Sequence, residues 1–391
     1  MLNDMKILFL TTVLPGKRRM GSEVASQSVI DVLVKLGARV TVVGYIRQND
    51  DYRTGADEIS AGRRVVETSS SRIYPLFWLG SSFLQGLPYS IGKFKSRNFI
   101  RVVNGLLKTD SYDLIIIDHV QMSWVADRIA YRGKTIGLAH NVEHQMYQSF
   151  VNNLGSPGRK WIFRREGRLL KKREHRFANL VDQMWTLTGH DADYFREIKE
   201  NSEVREISLP ATTTLSEPAE IAKEFDVGLI GSWTWKANEE GLRWFLDTVY
   251  PRCSRDISIH IAGSGADWLD GRYPNVHYRG FVEDARVFLG NARVVAIPTL
   301  SGGGIQIKTL DAIASGSRIV GTPLALRGIT DPPSTVSIAG TAENFADKLL
   351  SAINAGDTDS STAQAIEWSI QRNKAFSDQV SECLRHLLGS H

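Results

Sequence analysis

Residues Ser301–Gly316 read SGGGIQIKTLDAIASG, in which Gly302, Gly303 and Gly304 precede an apolar segment carrying one cation, Lys308, and one carboxylate, Asp311. Glycine admits positive φ and lets a ligand approach the backbone closely. A helix starting here would present unpaired N–H groups and a positive partial charge, which together seat an anion. At about 100° per residue, Gly304, Lys308 and Asp311 fall within roughly 60° of one another, on a different arc from Ile307, Leu310, Ile313 and Ala314. Phosphate at the glycines, an ammonium beside it and a hydroxyl-accepting carboxylate further along describe a bound sugar nucleotide. The same residues also suit a glycine-rich turn and a surface helix with an i,i+3 ion pair worth about 0.3 kcal/mol. A P-loop is excluded, because Ile307 stands where the glycine before the lysine is required.

These residues need a scaffold, and the chain supplies strands alternating with helices. KILFLTT (Lys6–Thr12), a helix over Ser22–Gly37 and RVTVVG (Arg39–Gly44) make a βαβ unit with Gly37 as the helix stop. Further strands are predicted at Tyr112–Asp118, Lys134–His140 and Asp182–Thr188, all near-continuous apolar runs as buried parallel strands require. Leu209–Glu220, rich in Pro, Thr and Ser, reads as a linker. Beyond it come strands at Phe225–Ser232, Ile257–Gly265, Ala292–Pro298 and Ser317–Pro323, with a helix over Asn238–Pro251. The expected fold class is α/β: two Rossmann-like, doubly wound domains in series, facing a cleft. Residues 1–209 form the first domain and 210–360 the second, and a helical segment over 361–391 packs back toward the first. Ligands of such sheets sit at the carboxyl ends of the strands, which is where the glycine run lies, directly after Ala292–Pro298.

Composition bounds the rest. With 391 residues, 42% hydrophobic and 23% charged, the chain is an ordinary two-domain globular sequence. No apolar run approaches the ~18–20 residues of a membrane span, and the N-terminal apolar run reads as a strand, not a signal peptide. Cys253 and Cys383 lie far apart, so a disulfide framework is not expected and the cytoplasm is the default location. Net charge is +4, yet Gly158–Arg176 alone holds nine Lys/Arg and two Glu. Basicity confined to one segment is not the footprint of a nucleic-acid-binding protein. That segment interleaves Trp161, Ile162, Phe163, Leu169 and Leu170 with its cations. It suits an anionic membrane surface carrying a lipid-linked acceptor, on the inner face of a cytoplasmic membrane. It equally suits a helix with a solvated face. Tyr74–Ser90, apolar and aromatic, is a second candidate for lipid contact or, alternatively, a buried core loop.

IPTLSGGGIQIKTLDAIASGSRIVGTPLALRGI resembles the donor-site segment of GT-B glycosyltransferases, closest to family 4. VGLIGSWTWKANEEGLRWFLDTVYP, HIAGSG and VHYRGFVEDARVFLGNARV follow the same family in order and spacing. LIIIDHVQMS and LAHNVEHQMY are similar to the acceptor domain of bacterial polysaccharide-assembling members. The resemblance implies a glycosyltransferase (EC 2.4) moving a sugar from a nucleoside diphosphate to a hydroxyl of a glycan or lipid-linked acceptor, with retention. It makes the first domain the acceptor side and the second the donor side. The family motif is two glutamates separated by seven residues. Asp311 falls on the second, the ribose contact; Gly303 falls on the first, so the carboxylate facing the donor sugar is lacking. A subset of the family shares the GGGI-plus-lysine pattern, which implies that Lys308 is the diphosphate cation. Ser232 replaces an arginine of the first donor-domain loop, and Lys236 lies within a residue of the loop's lysine position. Donor contacts thus fall on Gly231, Lys236, Gly263, Phe281 (to the base, through its backbone), Gly302, Gly303, Gly304, Lys308 and Asp311. His140, at a strand's carboxyl end within HNVEH, matches the histidine that in the resembling enzymes faces the donor sugar, which with Lys308 makes it the catalytic candidate; read alone, it is a loop-capping histidine. Gly21, His119, Glu143 and His144 are the acceptor-side candidates.

No cofactor or metal is expected, because the lysines and the helix dipole oppose the charge that develops on the leaving diphosphate. Two rivals remain open at this stage: a sugar-nucleotide epimerase on the same fold, and a sugar-nucleotide-binding protein without catalysis.

Overall fold

Runs of β-branched and aliphatic residues form strands buried on both faces, and the stripe-bearing segments between them form the covering helices. The computed structural model describes residues 4–66, 74–152, 155–199, 203–211, 223–355 and 359–389. It divides into two units, Met1–Ile207 with Ser377–His391, and Ser208–Phe376.

The first unit runs β1 (Lys6–Val13), α1 (Gly21–Lys35), β2 (Arg39–Arg47), β3 (Glu58–Arg64), α2 (Tyr74–Gln85), α3 (Tyr89–Gly92), α4 (Arg97–Thr109), β4 (Leu114–Asp118), β5 (Lys134–Ala139), α5 (Glu143–Asn152), α6 (Pro157–Leu180), β6 (Gln183–Thr186), α7 (Gly189–Ile198) and β7 (Glu203–Glu206). Its seven strands are all parallel, in the order β3-β2-β1-β4-β5-β6-β7. The order reverses between β1 and β4, where Ile7 pairs with both Val40 and Leu114. Every residue of β4 is buried, and Phe99, Ile115, Phe177 and Phe195 anchor the core. Side-chain caps fix helix starts: Ser96 accepts from the Phe99 amide on α4, and Thr188 from the Asp191 amide on α7.

The second unit runs β8 (Phe225–Ile230), α8 (Lys236–Trp244), β9 (Ile259–Ala262), β10 (Val276–Gly280), α9 (Ala285–Asn291), β11 (Ala292–Ile297), α10 (Ile307–Ala314), β12 (Arg318–Gly321), β13 (Val336–Ile338) and α11 (Ala342–Asn354). Its six parallel strands follow the order β10-β9-β8-β11-β12-β13, with the reversal between β8 and β11. Val227, Phe245, Val294 and Phe345 lie in its core. α12 (Asp359–Gly389) closes the chain. Its residues up to Phe376 count with the second unit, where Arg372 donates to the Leu209 and Gly328 carbonyls. From Ser377 it belongs to the first unit and buries Val380, Cys383, Leu384 and Leu387.

Two expectations are corrected here. The helix over Asn238–Pro251 is not continuous: α8 ends at Trp244, a π-helical turn takes Phe245–Val249 and a 3-10 turn takes Tyr250–Arg252. The wider turn keeps Phe245, Leu246 and Val249 in the core. Tyr74–Ser90 is not a loop, since α2 occupies most of it. From residue 212 to 220 the expected linker lies outside the described residues.

Candidate active site

In an open parallel sheet the loops at the point of strand-order reversal splay apart, and a ligand-sized crevice opens at the strands' carboxyl ends. In the second unit that point lies between β8 and β11. Gly231 and Ser232 follow β8, and Thr299–Gly304 follows β11. Gly302 (φ 113°) and Gly304 (φ 67°) sit in the left-handed half of backbone space, where a side chain is strained. α10 begins only at Ile307, with Gln306 as its N-cap and no side-chain cap bond. Gly304 therefore precedes the helix instead of standing on its stripe, which corrects the helical-wheel expectation; Lys308 and Asp311 do lie on α10.

Lys308 is half-buried, and its Nζ donates to Asn238 Oδ1 at 3.1 Å. The Asn238 Nδ2 in turn donates to the Ser232 carbonyl at 3.0 Å. A chain of polar contacts thus ties α10 to α8 and to the loop after β8. Burial pushes the Lys308 ammonium down to about 8, so a bound anion would find a cation short of countercharge. Lys236, at the start of α8, lies 3.7 Å from Glu240 Oε1, and Ser301 Oγ donates to the other Glu240 oxygen at 2.9 Å. Arg327 reaches the Gly302 carbonyl at 3.4 Å. Gly263 (φ 107°) and Gly231 lie backbone to backbone: a Cβ on Gly263 would stand 1.8 Å from the Gly231 oxygen. Phe281, following Gly280 (φ 63°), is 77% exposed.

In the first unit the reversal falls between β1 and β4, and the carboxyl ends of β1, β4 and β5 converge there. Asp118, fully buried at the end of β4, accepts from Thr11 Oγ1 at 2.7 Å and from Ser26 Oγ on α1 at 2.6 Å. Its other oxygen lies 2.7 Å from His140 Nε2. Burial alone would raise the Asp118 carboxyl; the charges of His119 and His140 and the bonds from His140 and Ser26 hold it at about 2. Burial, against the pull of Asp118, drives His119 down to about 3. His119 is therefore neutral at neutral pH. The His119 and His140 rings lie 3.8 Å apart, centroid to centroid, with His119 held at φ 71°. Since an ionised Asp118 only accepts, His140 Nε2 is the donor and Nδ1 is the nitrogen left to meet a ligand. Asp118, His119 and His140 also form a group whose ligand atoms lie within 4.8 Å of one another, close enough to hold a metal ion. The existing bonds already engage both Asp118 oxygens.

The remaining acceptor-side candidates fall nearby along the chain but do different work. His144 points its Nδ1 and backbone N–H at Glu174 on α6, at 2.6 and 3.1 Å, and Tyr194 donates to the same carboxylate. That network fixes α5 against α6. Glu143 is buried, which pushes its carboxyl up, and Asn141 lies 3.4 Å away. Gly21 opens α1, exposed, five residues before Ser26. Sequence reasoning missed Asp118, Thr11, Ser26, Asn238, Glu240 and Arg327. Asp118 had a signal, as the polar residue ending an otherwise apolar strand; Asn238 stood in the first turn of a predicted helix beside the donor loop.

Residues 224–355 match the family described as Glycosyl transferases group 1. That segment is of the group 1 glycosyltransferase type, and the chain is a glycosyltransferase. This glycosyltransferase is 22% identical over 345 residues to an "Uncharacterized 44.6 kDa protein in cps region" of Klebsiella pneumoniae, covering 83% of this chain and 84% of that protein. Its fold is similar to sucrose-phosphate synthase from Thermosynechococcus elongatus, at 14% identity with a TM-score of 0.67 over 99% of this chain and 100% of that one. It is also similar to Anabaena HepE in complex with UDP, at 14% identity with a TM-score of 0.60 over 98% and 100%. These likenesses establish the two-sheet GT-B fold. No helix among the described residues is long and apolar enough to cross a membrane.

Proposed function

We propose that this glycosyltransferase takes a nucleoside-diphosphate sugar as donor and transfers the sugar, with retention, to a hydroxyl of a glycan or lipid-linked acceptor in cell-surface polysaccharide assembly. The observation that carries the donor reading is Lys308: a half-buried ammonium on α10 hydrogen-bonded to the neutral amide of Asn238 on α8, with no carboxylate partner among the described residues. A cation kept without a carboxylate partner suits a diphosphate. When the bond from the anomeric carbon to the phosphate oxygen breaks, the leaving group gains negative charge, and groups already oriented toward it stabilise that change most. Gly302–Gly304 amides, Lys308 and Lys236 fill that role, and Asp311 takes the ribose hydroxyls. On the first unit, His140 accepts a sugar hydroxyl through Nδ1 while Asp118 holds its ring. The UDP bound to the structurally similar HepE and the cps-region setting of the Klebsiella relative are in keeping with this reading. The acceptor's lipid carrier places the enzyme at the anionic inner face of a cytoplasmic membrane.

Radiolabelled nucleotide sugars incubated with the enzyme and a membrane extract provide the test. Label moving into lipid-extractable glycan with the donor's anomeric configuration is the expected result. Isomerised free donor, or binding of every donor without turnover, would overturn the proposal.

A further inference from the structure

The two sequence segments singled out for lipid contact are far apart in the chain, yet the structure packs them together and sorts their charges. Arg165 of α6 donates to Ser82 Oγ and to the Ser82 carbonyl of α2, at 2.9 and 3.0 Å. It also pairs with the buried Glu166 at 2.7 Å. Arg173 and Arg176 are turned onto Asp127. Three of the helix's cations are thus structural. Arg159, Arg164, Arg168, Lys171 and Lys172 are exposed, and none takes part in an ion pair among the described residues. Buried Glu166, Leu170, Arg173, Glu174 and Phe177 define the inner stripe of α6, so at 100° per residue Trp161, Arg164, Arg168 and Lys172 fall on the outer one.

The apolar end of this face is equally specific. Phe83 and Trp161 stack at 5.8 Å between centroids, and the Arg165 guanidinium lies 4.0 Å over the Phe83 ring. Phe83, Trp161 and Leu84 are nevertheless 44%, 54% and 91% exposed. A cluster of exposed aromatic and aliphatic side chains at the end of an unpaired basic stripe matches the layout of a bilayer interface, with acyl and glycerol groups inside and anionic headgroups outside. A nucleic acid fits less well. The Phe83 ring is already engaged by Trp161 and Arg165, and a polyanion makes no use of the 91% exposed Leu84.

We propose that the first unit docks on an anionic lipid bilayer through this composite face. Leu84, Phe83 and Trp161 enter the interface, and Arg164, Arg168, Lys171 and Lys172 meet the lipid phosphates. The inference builds on the reading of a lipid-linked acceptor, but its test needs no donor or acceptor, so each can fail without the other. Purified full-length protein is floated with vesicles of pure phosphatidylcholine and of phosphatidylcholine with phosphatidylglycerol. Binding is expected only to the anionic vesicles, weakening as salt shortens the Debye length. At about fivefold in partition per cation near the surface, R164E/R168E/K172E together should lower partition by at least about 100-fold. Leu84→Asp alone should lower it by about tenfold, while circular dichroism of both variants stays that of the parent. Brominated lipid should quench part of the tryptophan emission, and Trp161→Phe should remove that part. Wild type that ignores anionic vesicles, or that binds heparin but not lipid, overturns the proposal. So does vesicle binding unchanged in the triple variant. Loss in the triple variant with no effect of Leu84→Asp and no Trp161 quenching overturns the insertion of the apolar end.

Discussion

Lys308→Met should stabilise the free protein while abolishing its hold on nucleotide. The ammonium sits at about 8 against an ordinary 10.5, so the folded chain holds this proton less tightly than the unfolded one. Between those values the unfolded state binds more protons, and stability rises with pH; below about 8 the cost of the buried charge is present in full. The gap converts to about 3 kcal/mol. Lys308 keeps some solvent contact and loses its bond to Asn238 on substitution, which removes about half of the gain. A net stabilisation of about 1–2 kcal/mol remains at pH 7, a rise of roughly 2–8 °C in the melting temperature of a unit this size. Calorimetric melts of parent and variant, with and without a panel of nucleoside diphosphates, read both effects. The parent should gain stability from its cognate nucleotide and bind it more weakly as pH rises beyond about 8; the variant should gain nothing. A variant that melts lower than the parent, or one that binds nucleotide as the parent does, would refute the electrostatic reasoning.

Asp118→Asn should cut turnover by about 100-fold with nucleotide affinity preserved, because an amide no longer fixes the His140 tautomer; steady-state kinetics with separate kcat and KM decide it. The same carboxyl, at about 2 in the fold against an ordinary 3.8, contributes about 2 kcal/mol that is present above 3.8 and lost as pH falls toward 2, so the variant's unfolding free energy should vary less with pH across that window, as urea melts at a series of pH values would read. Gly263→Ala should cost about 2–4 kcal/mol in urea unfolding, since its Cβ would meet the Gly231 carbonyl at a positive φ.

Which elements were legible in the sequence follows from where each strand lies in its sheet. β1, β2, β4, β5 and β6, and β8, β9, β11 and β12, have neighbours on both sides and helices on their faces, so they read as apolar runs. The strands that escaped notice are the edges: β3 (EISAGRR), β7 (EVRE), β10 (VHYRG) and β13 (VSI). An edge strand has one partner and one wet side, so its polar residues imitate a loop. At the sites, residue type was legible and partnership was not. Lys308 stood out as the one cation of a largely apolar helix and His140 as a polar residue at a strand end, whereas Asn238 and Asp118 matter through what they touch across 70 and 22 positions of chain. The basic helix shows the same limit: nothing in GRKWIFRREGR distinguishes Arg164, which faces out, from Arg165, which is locked to Ser82 and Glu166.

The last turns of α12 have a consequence for how the protein comes into being. Val380, Cys383, Leu384 and Leu387 are buried in a unit whose other residues end at Ile207, and His386 pairs with Glu203 of β7 at 3.0 Å. A ribosome making this chain releases the seven strands of the first sheet long before it releases the helix that covers them. At about 5–20 residues per second, the wait between residue 207 and residue 389 is roughly ten to forty seconds. During that interval the first unit carries an uncovered apolar seam, and its completion waits for the synthesis of α12, about 180 residues after its last strand.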